Sequence, residues 1–92
     1  MVIIVGRVIG VFKEENTVVV NVKRSNSEVR DDIPVRISEA IAKAYDLDML
    51  LDKFIGIRGN IIMEQDLIVI TALKMSFIGE GHQNLLEKIW IN

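Results

Sequence analysis

Seven cationic side chains raise the chemical question: Arg7, Lys23, Arg24, Arg30, Arg36, Arg58 and Lys74. Each falls either at a polar position within an apolar, alternating run or in the polar segment between two such runs. Guanidinium and ammonium groups spaced along extended chain can neutralise successive phosphates of a nucleic acid. Phe54 and Asn60 share the predicted face of Arg58, which would give the cations an aromatic platform for a base and an amide.

No catalytic constellation competes with that chemistry. His82 is the only histidine and there is no cysteine, so a His-based triad, a His-based metal site, a disulfide and a thiolate site are all excluded within one chain. GEGHQ at 79–83 lacks the Gly-Lys-Ser/Thr of a phosphate loop. Asp46, Asp48 and Asp52 lack the ligand spacing and closing glutamate of a calcium loop. The expectation is a protein that is not an enzyme and uses no cofactor and no metal.

Charge distribution permits a phosphate-binding face. Thirteen acidic residues against eleven basic ones give a net charge of −2. Residues 1–36 nevertheless hold six basic and five acidic side chains, whereas 37–66 hold three and six. A molecule acidic overall can still present one basic surface. The opposing reading is that the same charges keep a sheet surface soluble and blunt its edges.

The elements that must position these groups follow from periodicity. VIIVGRVIGVFK (2–13) is β-branched and glycine-interrupted, as a bent strand is. In 17–24, Val18, Val20 and Val22 alternate with Thr17, Val19, Asn21 and Lys23. The polar segment 25–32 leads to a third strand, with Ile33, Val35 and Ile37 inward and Arg36 outward. Ser38 then suits a helix N-cap before Ala40, Ile41, Ala44 and Tyr45. In the DLDMLLD segment (46–52), Met49, Leu50 and Leu51 are expected to plug a core. FIGIRGNIIM (54–63) and LIVITALKMSFI (67–78) are the fourth and fifth strands, with Lys74 and Ser76 outward. Phe12 and Phe77 are expected in core or strand-end packing, and Tyr45 capping the fold.

Three strands, a helix and two strands is the element order of a five-stranded OB barrel, an all-β fold with its helix between strands 3 and 4. A small open α+β sheet is the alternative. One domain, 1–80, accounts for the pattern. Residues 81–92 form a short tail whose Leu85, Leu86, Ile89 and Trp90 have the spacing of a docking helix.

Several segments, VIIVGRVIG, IPVRISEAIAKAY, DKFIGIRGNI and ITALKMSFIGEG, are similar in order and spacing to strands of the bacterial single-stranded DNA-binding protein family. The chain resembles a short, divergent member without the family's acidic C-terminal tail. The resemblance covers about residues 2–81. It implies an OB fold, no catalysis, single-stranded DNA bound across the sheet and hairpins, and a homo-oligomer. The family's tryptophan platforms near the second and third strands have no counterpart here.

The first strand is apolar on both faces apart from Arg7. One face lines the core, so Ile3, Val5, Ile9 and Val11 on the other are expected to bury against another copy, giving a dimer or tetramer. The start, MVIIV, lacks a basic n-region, and no apolar run approaches the ~20 residues of a membrane helix. The expected setting is cytoplasmic, with no membrane partner. The expected function is binding of single-stranded DNA with little sequence preference, in replication, recombination or repair, alongside replication or repair proteins. The alternatives are an OB-fold assembly module and an RNA-binding protein; no residue decides DNA against RNA.

Overall fold

In the computed structural model, residues 1–23 and 27–78 are described. Arg24, His82 and the 81–92 tail lie outside them. Alternation becomes strand wherever it was expected. β1 is Val2–Phe12, β2 Thr17–Lys23, β3 Arg30–Ile37, β4 Phe54–Glu64 and β5 Leu67–Phe77. They close into a barrel in the order β1-β2-β3-β5-β4. The closure is a short parallel contact in which Val35, Arg36 and Ile37 of β3 register with Ile70, Thr71 and Ala72 of β5. Every other pairing is antiparallel.

The inward-facing positions build one core. Val18, Val20, Val35, Ile55 and Val8 have no exposed surface, and Ile37, Ile57, Ile70 and Ala72 join them. At about 1.5–3 kcal/mol per fully buried aliphatic side chain, this burial is the main term opposing chain entropy.

A helix and a 3-10 turn plug one end of the barrel. α1, Glu39–Ala44, begins at Ser38, whose Oγ accepts from the Ile41 amide at 3.3 Å. The 3-10 turn at Leu47–Leu50 then buries Leu47 and Leu50. Met49 and Leu51 stay exposed, contrary to the expectation from sequence. A 3-10 turn repeats every three residues, so positions 47 and 50 share a face that 49 and 51 do not.

Two bulges break the alternation. Between Val8 and Gly10, β1 carries an extra residue against β2. Ile9 is the residue left over, and Val11 comes to pair with Val18 and pack on the core. In the β4–β5 ladder the register shifts between Arg58 and Gly59. Gly59 must be glycine there, because a Cβ would sit 2.2 Å from the Thr71 carbonyl oxygen. Beyond this point β4 and β5 run on as a hairpin arm. Gln65 and Asp66 at its tip both have positive φ, as a two-residue type I′ turn requires.

The end of the barrel beside this arm is open. Val2, Ile4, Ile33, Ile61, Ile68 and Ile70 line its mouth, with Asp31 and Asp32 at the rim. Among the described residues, no helix is long and apolar enough to cross a membrane.

Candidate nucleic-acid interface

Strand register decides which cations share a surface. Arg58 of β4 lies directly opposite Lys74 of β5, and Ile3 of β1 lies opposite Arg58 on the other side. Both cations are exposed. Neither side chain makes a hydrogen bond or ion pair among the described residues. With Ile3, Gly56 and Ser76 they border an open depression of about 360 Å³. Like charges placed directly opposite on a sheet destabilise it unless a counter-charge arrives.

A second like-charged pair sits across β1. Lys23 of β2 registers with Arg30 of β3. The Arg30 guanidinium donates from Nη1 to the Asn21 Oδ1 at 3.1 Å, and Asn21 Nδ2 donates to Asp32 Oδ1 at 2.8 Å. This chain of hydrogen bonds fixes Arg30 along the strand rather than leaving it to sweep through solvent. β1 alone separates β2 from β4, and its ladder with β2 runs from Phe12 opposite Thr17 to Arg7 opposite Asn21, ending two residues before Lys23. Arg7 lies on that intervening strand, opposite Asn21 and Phe54. Its Nη1 donates to the Asp52 carbonyl at 2.6 Å, which holds the side chain toward the start of β4.

Five expected cations, Arg7, Lys23, Arg30, Arg58 and Lys74, therefore occupy connected strands of one sheet. Arg36 does not join them. Both its Nη atoms donate to the Glu64 carboxylate, Nη2 to Oε1 at 2.9 Å. That hydrogen bond, with the attraction of the guanidinium, holds the Glu64 carboxyl below its ordinary value. The Arg36 guanidinium is raised by the same contact. Lys13 is likewise occupied, 2.7 Å from Asp48 Oδ2. Asn60 is exposed, but it registers with Thr71 on the hairpin arm beyond the bulge.

Phe54 is corrected by the structure. It is 5% exposed and offers no ring face to a base. It starts β4 between Arg7 on β1 and the end of β5, where the Ile78 amide donates to its carbonyl at 3.0 Å. Among the described residues the exposed aromatic rings are instead Phe12 and Phe77, about half exposed. Phe77 meets Tyr45 edge-on with centroids 5.5 Å apart, so the strand-end packing expected of it is present. Phe12 is the ring that sequence reasoning wrongly buried. Its place is the last residue of β1, past the bulge, where alternation no longer indicates direction.

The proposed self-contact face of β1 is also smaller than expected. Ile3 and Ile9 are about half exposed, but Val5 is fully buried within the subunit, opposite Gly56. Val11 turns inward because of the bulge. Val5 therefore offers no surface to a second copy, and Val11 is only partly exposed.

No family model matches the chain, and no curated protein matches it in sequence. Among solved structures it is similar to the dimeric structure of the N-terminal domain of PriB protein from Thermoanaerobacter tencongensis. The two superpose with a TM-score of 0.66 at 20% identity, over 86% of this chain and 96% of that one. This chain has the OB fold. The closed five-stranded OB barrel, with its helix between β3 and β4, agrees with the expectation from sequence. At that identity the likeness speaks to the fold, and the surface chemistry carries the functional argument.

Proposed function

We infer that this OB barrel binds single-stranded DNA, without catalysis and with little sequence preference, as a homo-oligomer serving replication, recombination or repair. One observation carries the reading: Arg58 and Lys74 lie directly opposite each other across β4 and β5, and neither is paired with an acidic side chain among the described residues. A phosphate seated there would convert a repulsive pair into two charge-assisted contacts. Lys23 and Arg30 across β1 supply a second pair for the next part of the same strand. Among the described residues, no exposed aromatic ring lies in register with either pair, so base stacking by these residues, worth about 1–3 kcal/mol per base where it occurs, contributes little. The interaction is one of phosphate contacts, modest in affinity and indifferent to sequence. The dimeric neighbour supports self-association in this reading.

The test is a fluorescence-polarisation titration with a labelled oligo-dT at low salt. Wild-type chain should bind, and Arg58→Glu/Lys74→Glu should abolish binding while its circular dichroism stays unchanged. Binding that survives the double reversal rejects the site. A second reading is an OB module that assembles with replication or repair proteins. The exposed apolar arm, with Met63 and Leu67 each 66% exposed, favours it. Absence of oligonucleotide binding at low salt would transfer the function to that reading.

A further inference from the structure

We propose that the free edge of β4 beyond the Gly59 bulge pairs with the same edge of a second copy, across a two-fold axis at Ile62. Ladder contacts between β1 and β4 end at Val2 and Gly59. From Asn60 to Glu64, β4 is therefore paired with β5 on one side and with no described strand on the other. An unpaired apolar edge is a template for another strand, and proteins normally protect one with proline, lysine or an inward charge. The segment Asn60-Ile61-Ile62-Met63-Glu64 has none of these.

Its sequence is self-complementary. Antiparallel pairing centred on residue 62 apposes 60 with 64, 61 with 63 and 62 with 62. Polar ends then meet polar ends, and apolar centres meet apolar centres. Moving the centre to Met63 sets Glu64 against Ile62, and moving it to Ile61 sets Asn60 against Ile62. Either shift places a polar group on an apolar one, so the pattern selects a single register. The one charge in the segment is already balanced, because Glu64 is held by Arg36. An isologous contact of this kind closes as a dimer rather than propagating. Ile61 and Ile68, each more than half exposed, would be covered at the same time, since they line the mouth beside the arm. This surface differs from the β1 face expected from sequence. The inference rests only on the self-association in the proposed function, not on its nucleic-acid part.

The cysteine-free chain permits a direct test. Ile62→Cys introduces a sole thiol that would face its own copy. Directly opposed residues of antiparallel strands have Cα atoms about 4.5–5.5 Å apart, within disulfide range. Oxidation should give a covalent dimer of Ile62→Cys and leave an Ile3→Cys control monomeric on a non-reducing gel. Independently, Ile61→Lys/Met63→Lys should halve the mass seen by light scattering. Mixing it with Ile61→Glu/Met63→Glu should restore the dimer, because 61 then meets 63 with opposite charge. Circular dichroism of each variant verifies folding. A wild-type monomer, a dimer without the residue-62 cross-link, or a lysine variant that keeps dimer mass would each overturn the proposal. A dimer cross-linked at 62 that binds no oligonucleotide would reject the nucleic-acid reading and leave this one standing.

Discussion

The two ends of the barrel solve the same problem differently. At one end the chain returns over the opening, and α1 with the 3-10 turn brings Leu47 and Leu50 down onto the core. At the other end no element of the described residues returns. β4 and β5 continue outward as a hairpin arm, and Ile61, Met63, Leu67 and Ile68 remain exposed beside an apolar mouth. An apolar residue at the first end is therefore structural, and one at the second is available. The cations show the same contrast between satisfied and waiting groups. Lys13 and Arg36 are matched by Asp48 and Glu64, whereas Arg58 and Lys74 lie opposite each other with no acidic partner among the described residues.

That contrast predicts where substitutions will be costly. Leu50→Ala removes a fully buried plug and should lower unfolding stability by about 2–5 kcal/mol in urea titrations. Ile68→Ala at the open end should change it by about 0.5 kcal/mol or less in dilute monomer. Equal losses at both positions would show that the mouth is closed in solution. Gly59→Ala, where the arm leaves the barrel, should cost about 1–3 kcal/mol through its clash with the Thr71 carbonyl. Gly10→Ala meets its nearest neighbour only at 3.5 Å and should be tolerated by comparison. Ser38→Ala at the plugged end should cost about 1 kcal/mol through loss of the α1 cap.

Glu64→Gln tests the ion pair on the arm through its pH dependence. The Glu64 carboxyl is lowered in the folded state by its hydrogen bond from Arg36. A lowered carboxyl contributes stability above its unfolded value and loses it as pH falls through the folded value. Wild type and Glu64→Gln should therefore differ in urea midpoint at neutral pH and converge in acid. A difference that grows on acidification would contradict the assignment.

Much of this was legible in the sequence because strand periodicity is strict. Val18, Val20 and Val22 signal their face without ambiguity, and Lys74 and Ser76 signal the opposite one. The Ser38 cap was legible because a β-branched run ends at a hydroxyl before a helical pattern. Less legible were the breaks in period. The bulge at Ile9 turned Val11 inward, and the register shift between Arg58 and Gly59 left Leu73 of β5 without a partner on β4. Phe54 was misread because its burial is a property of the assembled fold that no local pattern reveals. Arg36 was misread for a similar reason, since Glu64 is 28 residues distant in sequence.

The dependence of oligo-dT affinity on salt tests the central claim most directly. Three or four phosphates held by Arg58, Lys74, Lys23 and Arg30 predict a log–log slope of about −2 to −3, at roughly 0.7 per contact. A slope near zero, or no binding at low salt, would contradict the assignment of these cations to a nucleic-acid backbone.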